Sequence, residues 1–284
     1  EIIPTFDEMN LREDLLRGIY AYGFETPSAI QQRGIKPILL GKDTIAQAQS
    51  GTGKTATFAI SSLQKIDISV RECQALILSP TRELVVQIKQ QLDRFAESTG
   101  IISAALYGGQ NQREQESEVK MQHRKFNNDG ALSTWSPPEV VVASVGRLRD
   151  FIDKGHTNLR NVTYFVMDEA DNLLGQGWKD DITAFRRSMR PEAQTLLFTA
   201  TYNEPTNNSG DSIKDYAKLL CRHEPVHVYI GTDDKLVACA NVTQRFKQHP
   251  GWRAEKTEVA QMVADIIKEV DDDDSLHEDY GYQR

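Results

Sequence analysis

The stretch that decides the fold is Ala48-Gln49-Ser50-Gly51-Thr52-Gly53-Lys54-Thr55. Residues 43–47, just before it, are typical of a short buried strand, and residues 57–63, just after it, have the apolar spacing of a helix. Where a glycine-rich turn connects a strand to a helix, backbone N–H groups and the helix N-terminus converge on anionic oxygens. The stretch therefore predicts a phosphate-binding turn.

Each chemical group in this turn has an expected role. Gly51 and Gly53 allow a tight bend and a close approach of the backbone to a ligand. Lys54 is expected to reach the β- and γ-phosphates of a nucleotide, and the Thr55 hydroxyl is expected to hold Mg²⁺. Ala48 stands where the usual pattern has glycine. The alternative is a tight strand-to-helix turn that needs glycines and carries a lysine without binding phosphate.

A second motif, Val166-Met167-Asp168-Glu169-Ala170-Asp171, places carboxylates just after another apolar run. Asp168 is expected to bind the metal, mostly through water, and Glu169 to orient or deprotonate an attacking water. Asp171 is expected to hold a neighbouring loop. The alternative is simple helix N-terminal charge. We expect Lys54 and Asp168 to meet at one edge of a sheet.

Strand and helix signals alternate along most of the chain, which predicts an α/β fold with a mostly parallel sheet covered by helices on both faces. Ligands of such folds bind at the carboxyl ends of the strands. Buried strands are predicted at residues 43–47, 74–79, 101–107, 140–143, 164–167, 195–198 and 226–230, and helices at residues 12–22, 26–40, 57–63, 82–96, 147–154, 182–189 and 213–221.

Two regions depart from this alternation. Residues 111–139 are polar and irregular, which predicts a helix through Met121 followed by a surface loop or insertion that contains Trp135. After residue 230 a linker is expected, then a strand start at 242–248, an amphipathic helix at 259–270, and a solvated acidic run from Asp271 onward.

Composition limits the possible functions. The chain has 284 residues, 39% hydrophobic and 26% charged, as soluble globular proteins do, and no apolar run approaches the roughly 20 residues that cross a bilayer. A net charge of −8 gives no bulk attraction to nucleic acid, so RNA would need a local surface. The scattered Cys73, Cys221 and Cys239 suit a reducing intracellular compartment, and the residues at the start do not form a secretory signal. Pro225 makes a zinc pair of His223 and His227 unfavourable.

Taken together, residues 48–55 and Asp168-Glu169-Ala170-Asp171 resemble motifs of the DEAD-box family of ATP-dependent RNA helicases. The resemblance covers about residues 6–230 and implies that family's first RecA-like lobe, a P-loop NTPase fold. From residue 6 to 87 it is similar to the branch that contains the translation-initiation 4A helicases and the exon-junction clamp. It implies N-terminal helices at 1–41 within the lobe, the ATP-binding body at 42–230, and a linker with the start of a second lobe or an acidic tail at 231–284.

The segment Gly23-Phe24-Glu25-Thr26-Pro27-Ser28-Ala29-Ile30-Gln31 resembles the adenine-reading segment of the family. The resemblance implies that Gln31 hydrogen-bonds adenine and that Phe6 stacks on it, while Ser50 and Thr52 join the phosphate turn in holding ATP. Without the resemblance, Gln31 would be interpreted as a helix surface residue and Phe6 as a core residue.

Three further stretches are similar to the family's RNA-backbone elements. Their implied RNA contacts are Pro80, Thr81, Arg82, Gly108, Gly109, Gly146 and Arg147. Hydroxyls, arginines and helix N-termini bind phosphates and 2′-hydroxyls without reading sequence. Ser144-Val145 replaces the family's Thr-Pro before Gly146, and Arg82 alone would equally suit a surface ion pair.

Thr199-Ala200-Thr201 stands where the family has Ser-Ala-Thr. Since a hydroxyl is kept at each end, the resemblance implies bonding of Thr199 and Thr201 to Asp171, which couples ATP hydrolysis to strand separation.

The expected function is the ATP- and RNA-binding lobe of an intracellular helicase, nuclear or cytoplasmic, that uses ATP and Mg²⁺ to unwind short RNA duplexes with a second RecA-like lobe. Protein partners in a ribonucleoprotein are also expected, and no membrane. The family's arginine-finger stretch is not found in these 284 residues, so we expect nucleotide binding with poor hydrolysis. The rivals are an ATP-gated RNA clamp that does not unwind, and a degenerate lobe used for protein contacts.

Overall fold

The computed structural model describes residues 2–120, 122–124, 134–206 and 210–230. These residues all belong to one compact unit, Glu1–Leu236. The expectations for residues 231–284, among them the strand start at 242–248, the helix at 259–270, the acidic run and Cys239, lie outside the described residues.

A seven-stranded sheet with parallel pairing throughout forms the centre of this unit. This arrangement confirms the predicted α/β fold with a parallel sheet. From one edge to the other, the strands of the sheet, numbered in chain order, are β3 Ser103–Leu106, β6 Val140–Ala143, β2 Ala75–Leu78, β7 Tyr164–Met167, β8 Gln194–Thr199, β1 Thr44–Gln47 and β9 Val226–Tyr229. A separate antiparallel pair is formed by β4 Gln122–Arg124 and β5 Thr134–Ser136.

Helices connect the strands and cover the sheet. A short 3₁₀ turn, Asp7–Met9, precedes the first of them. The helices are α1 Glu13–Ala21, α2 Ala29–Leu39, α3 Lys54–Lys65, α4 Arg82–Phe95, α5 Gln112–Lys120, α6 Val145–Asp153, α7 Ala170–Gly175, α8 Lys179–Ser188 and α9 Ile213–Leu220.

Two apolar layers hold the helices to the two faces of the sheet. Because successive side chains of a strand point to opposite faces, Ile77 packs into one layer while its neighbours Leu76 and Leu78 pack into the other. The first layer joins α1 to α4 to the sheet, and the second joins α6 to α9. Both faces are therefore buried, as the continuous apolar strands predict.

At the amino-terminal edge of the sheet, the buried carboxylate of Asp43 ties three segments together. It accepts hydrogen bonds from the backbone N–H of Thr195 at 2.8 Å, of Arg222 at 2.6 Å and of His223 at 3.3 Å. It also pairs with the Arg222 guanidinium at 3.4 Å. Asp43 therefore links β1 to β8 and to the α9–β9 connection. The sequence pattern gave no sign of this role.

Two local elements were not predicted. The region assigned to a surface loop or insertion contains the β4–β5 pair, in which Trp135 is opposite His123. The polar sequences of these strands lack the apolar alternation that indicates a strand. The short helix α7 was also missed, because its six residues overlap the carboxylate motif. Across the part of the chain that the structure describes, no helix is both apolar and long enough to cross a bilayer.

Candidate nucleotide and RNA site

The glycine-rich turn connects β1 to α3 and requires glycine at two positions. Gly51 and Gly53 have φ values of +80° and +98°, which side-chain-bearing residues rarely adopt. A Cβ at Gly53 would lie 2.6 Å from Ser28 Oγ and 2.7 Å from Gln31 Nε2. The turn is therefore packed against the N-terminus of α2, and only glycine fits at residue 53.

Lys54 is the first residue of α3 and is only 8% exposed. Its ammonium donates a hydrogen bond to the carbonyl oxygen of Ala48 at 2.7 Å, across the turn. Thr52 Oγ1 closes the same turn by donating to Gln49 O at 2.7 Å. Ser50 and Gly51 are exposed, whereas Thr55 is half-buried at the start of α3. The turn thus folds around a buried cation, as a phosphate-binding turn does.

Asp168 follows β7 and is 4% exposed. The pKa of its carboxyl is raised to about 6, mainly by burial and to a smaller extent by the neighbouring carboxylates Glu169 and Asp171, whereas the positive charge of Lys54 lowers it. Only β8 separates β7 from β1, and these strands are parallel. Lys54 and Asp168 therefore lie at the same carboxyl edge of the sheet and interact.

Glu169 is the N-cap residue just before α7 and has φ +49° and ψ +51°, a left-handed conformation that is uncommon outside glycine. Its carboxylate accepts a hydrogen bond from Asn172 Nδ2 at 2.8 Å, and its backbone N–H donates to Asp168 Oδ1 at 3.1 Å. The chain thus turns sharply after β7, which leaves Glu169 half-buried beside Asp168.

Asp171 reaches the loop after β8. Thr201 Oγ1 donates to Asp171 Oδ2 at 3.1 Å, which joins this loop to α7. Thr199 makes a different contact: its hydroxyl donates to Thr201 O at 2.8 Å and accepts from Thr201 N at 3.2 Å. Of the two threonines, Thr201 contacts the carboxylate and Thr199 shapes the loop.

The same loop has two neighbours that the sequence did not indicate. Gln47, the last residue of β1, donates from Nε2 to Ala200 O at 3.2 Å. Tyr202 lies edge-to-face against the His227 ring, with centroids 4.6 Å apart. The edge strand β9 therefore contacts the loop that carries Thr201.

Gln31 is 2% exposed and forms a capping box with Ser28 at the start of α2. Its Oε1 accepts from Ser28 N at 2.8 Å, and its Nε2 donates to Gly53 O at 3.4 Å. Ser28 Oγ donates to Thr52 O at 2.8 Å. The alternative of a surface glutamine is wrong, because both amide atoms are engaged beside the phosphate turn. Ser28 was missed, although a serine three residues before a glutamine is the signature of such a box.

Phe6 is fully buried, and its ring stacks at 6.5 Å on Phe24 and lies edge-on to Tyr20 at 6.3 Å. Tyr20 in turn donates to the carboxylate of Asp7. The structure therefore favours the core interpretation of Phe6 over stacking on adenine, because no part of the ring is accessible to a base.

Metal-ligating side chains are few in this site. Within the described ranges, no three His, Cys, Asp or Glu side chains group closely enough to hold a metal ion. Mg²⁺ does not require such a group, because that ion keeps several waters and takes ligands from nucleotide phosphates.

A groove of about 590 Å³ lies at the same edge of the sheet, beyond β2 and β6. It brings together Pro80, Gly108, Gly146 and Arg147, which come from three separate sequence stretches. Its other lining residues are Ser79, Gln112, Ser144, Val145, Asp150, Lys154, Leu173, Gln176 and Trp178. The sequence did not indicate Trp178, whose ring lies 3.5 Å from the place of a Cβ on Gly146.

The other three expected RNA contacts lie beside the groove and are not among its lining residues. Thr81 caps α4 by accepting from Leu84 N at 3.3 Å. Arg82 is exposed, with its guanidinium 5.2 Å from the centre of the Tyr107 ring. Gly109 is exposed with φ +82°, and a Cβ there would lie 3.2 Å from Arg82 Nη1.

Comparison with known proteins agrees with this geometry. A family model described as DEAD/DEAH box helicase matches residues 28–209. Eukaryotic initiation factor 4A of Drosophila melanogaster is 48% identical over 201 residues, which are 71% of this chain and 46% of that protein. The ATP-dependent RNA helicase eIF4A of Schizosaccharomyces pombe is 47% identical over 234 residues, 82% of this chain and 54% of that protein. The expected likeness to the 4A helicases is confirmed.

Solved structures show the same fold. A DEAD box protein from Methanococcus jannaschii aligns with a TM-score of 0.68 at 30% identity, over 80% of this chain and 56% of that one. Dbp5 of Saccharomyces cerevisiae, solved bound to Gle1 and IP6, aligns with a TM-score of 0.65 at 28% identity, over 80% and 53%. The chain spans about half the length of the curated relatives it matches.

Proposed function

This chain belongs to the DEAD/DEAH box helicase family, and from that premise we propose that it is the ATP- and RNA-binding lobe of an ATP-dependent RNA helicase. The complete protein would join this lobe to a second one and hydrolyse ATP to separate short RNA duplexes. One observation supports the nucleotide site above all: Lys54 and Asp168 lie at one sheet edge and interact electrostatically.

The turn at residues 50–55 would hold the phosphates. Lys54 would exchange its hydrogen bond to Ala48 O for one to a phosphate oxygen, and the N-terminus of α3 would add backbone N–H groups. Gln31 would read the adenine edge, since an amide both donates and accepts, once it exchanges its bonds to Ser28 N and Gly53 O for bonds to the base. Phe6 is left out of the proposed base contacts because it is fully buried.

The carboxylates would bind the metal and orient the attacking water. Thr55 and Asp168 would hold Mg²⁺, which when bound would neutralise phosphate charge. Glu169, half-buried next to Asp168, would orient the attacking water and accept its proton. Asp171 and Thr201 would pass the state of the site to the loop after β8 through their hydrogen bond.

RNA would bind along the groove lined by Pro80, Gly108, Gly146 and Arg147. The groove offers exposed backbone at Gly108 and Gly146, which suits contacts to phosphate and ribose rather than to base edges. We therefore propose sequence-independent binding of single-stranded RNA.

Calorimetric titration of the chain with Mg-ATP tests the proposal. The chain should bind Mg-ATP, and Lys54→Ala should weaken binding about 10- to 100-fold, because a hydrogen bond from a charged group contributes about 1.5–3 kcal/mol. Lys65→Ala is the matched control, since Lys65 is an exposed lysine at the other end of α3. If the folded wild-type chain bound no Mg-ATP, the degenerate-lobe interpretation would replace this one.

A further inference from the structure

We infer that Gln115 and Arg147 position the Gly108–Gly109 loop for RNA, and that Arg147 acts through this loop rather than by contacting RNA phosphate. The inference rests on the proposed RNA-binding function. It reassigns Arg147, which sequence reasoning placed among the RNA contacts, and it adds Gln115, which sequence reasoning did not single out.

Gln115 holds the loop from the side of α5. It is fully buried, and its Nε2 donates both to Tyr107 O at 3.1 Å and to Gln110 Oε1 at 2.8 Å. One amide group is thus hydrogen-bonded to the loop on both sides of the two glycines. An amide nitrogen has two N–H donors, and both donors of Gln115 are hydrogen-bonded to this loop. That nitrogen therefore cannot donate to another partner.

Arg147 holds the same loop from the side of α6. Its Nε donates to Tyr107 O at 3.2 Å and its Nη2 donates to Gln110 O at 3.2 Å. The planar guanidinium fits two carbonyl oxygens at a fixed spacing, which a lysine ammonium does not. Gln115 and Arg147 therefore converge on Tyr107 and Gln110, the residues that flank Gly108 and Gly109.

The charge of Arg147 is partly neutralised within the protein. Its side chain is 15% exposed and lies 3.8 Å from the carboxylate of Asp150. Asp150 is also paired with Lys154 at 2.6 Å. A cation that is mostly buried and shares a carboxylate offers less to a phosphate than an exposed arginine does.

The loop needs such support. Both glycines are exposed, and glycine loses more conformational freedom on ordering than any other residue. Gly109 also has φ +82°. When Tyr107 and Gln110 are fixed, the glycines lose their conformational entropy during folding rather than during RNA binding. The exposed backbone is therefore preorganised for its ligand.

Hydrogen exchange of the loop amides tests the clamp without RNA. Gln115→Ala and Arg147→Ala should each speed exchange at residues 108–110 several-fold in the chain. The matched control is Arg149→Ala, which removes an exposed arginine of the same helix whose partners are Asp153 and Asp181. It should leave exchange at the loop unchanged. Unchanged exchange in folded Gln115→Ala and Arg147→Ala would overturn the clamp.

Binding of single-stranded poly-uridine RNA over a range of salt concentrations separates positioning from contact. Each variant should weaken binding about threefold to tenfold, the size expected for one or two lost hydrogen bonds. The salt slope should match wild type, and the double variant should be little worse than either single one. Arg147→Lys, which keeps the charge and removes the two-pronged geometry, should lose affinity as Arg147→Ala does.

A direct phosphate contact gives a different pattern. Arg147→Ala would then lower the salt slope by about 0.7, Arg147→Lys would retain binding and Gln115→Ala would have no effect, and the inference would be overturned. If the wild-type chain bound no RNA, the proposed function would fail while the exchange experiment would still decide whether the clamp exists.

Discussion

The side-chain amide of Gln31 donates to the carbonyl oxygen of Gly53 at 3.4 Å, so the residue expected to read the base already contacts the turn expected to hold the phosphates. Ser28 reinforces this contact by donating to Thr52 O at 2.8 Å. If Gln31 reads the base, as proposed, the base and the turn compete for the same amide. A base that takes the Gln31 amide would remove the bond to Gly53, while Ser28 would still hold Thr52.

Gln31→Ala should abolish the preference of the chain for ATP over GTP. The base-reading amide is lost for adenine, whereas the phosphate contacts common to both nucleotides remain. Parallel calorimetric titrations with Mg-ATP and Mg-GTP measure this ratio. Loss of the capping box should also lower the free energy of unfolding by about 1 kcal/mol. Because that loss affects both nucleotides equally, an unchanged ratio would contradict base reading by Gln31.

Phe6→Ala should lower the free energy of unfolding by about 3–5 kcal/mol, since it empties a fully buried aromatic site between Phe24 and Tyr20. Phe6→Leu, which keeps most of the volume, should cost less and leave the affinity for Mg-ATP unchanged. Chemical denaturation and calorimetry measure the two effects. Weaker nucleotide binding by a folded Phe6→Leu variant would show that the ring leaves the core to stack on the base.

Asp168→Asn should stabilise the chain above pH 6 in the presence of a metal chelator. Burial raises the carboxyl pKa from 3.8 to about 6, so between these values the folded state holds a proton that the unfolded state has lost. Stability therefore falls as pH rises through this window and stays lower above it. Removing the charge should recover up to about 3 kcal/mol.

Urea denaturation at pH 4 and pH 8 measures this difference, which should be small at the lower pH and large at the higher one. The exposed Asp180→Asn change is the control and should stay within about 0.5 kcal/mol of wild type at both. Equal effects of Asp168→Asn at the two pH values would contradict the raised pKa.

Thr201→Val should lower the free energy of unfolding by about 1 kcal/mol, because the shape is kept and the hydrogen bond to Asp171 is lost. A double-mutant cycle with Asp171→Ala should give a coupling energy of about 0.5–1.5 kcal/mol. A coupling energy near zero would mean that the 3.1 Å contact contributes nothing, and would remove the physical basis for coupling through it.

Asp43→Asn should destabilise the fold by about 3 kcal/mol or more, as it leaves buried donors of Thr195, Arg222 and His223 facing an amide. Thermal unfolding measures the loss. Asp153→Asn, on the exposed surface of α6, should change stability by less than about 0.5 kcal/mol. Similar effects of the two substitutions would contradict the linking role of Asp43.

Much of the fold could be predicted because its signals are local. The apolar runs at 140–143 and 164–167 coincide with β6 and β7, and the amphipathic run from Arg82 gives α4 almost to the residue. The β4–β5 pair could not be predicted, since its polar strands pair through the backbone across an intervening segment. A six-residue helix such as α7 is too short to show a helical period.

The candidate site divides in the same way. Glycines at positive φ and a lysine that begins a helix belong to one turn, and the sequence indicates them directly. The bond from Arg147 to Tyr107 spans 40 residues, and the bond from Gln31 to Gly53 spans 22. Local sequence patterns do not indicate hydrogen-bond partners that lie so far apart along the chain.

By itself, the sequence determined the α/β class, the two chemical motifs and their meeting at one sheet edge, because parallel strands joined by helices bring their carboxyl ends together. Only the tertiary structure decided which of the indicated side chains are still available to a ligand. Phe6 is enclosed by Phe24 and Tyr20, and Arg147 already donates to two carbonyls. The reason is that a side chain has few hydrogen-bonding groups and a limited surface. Packing between distant segments determines how much of each is already occupied within the protein.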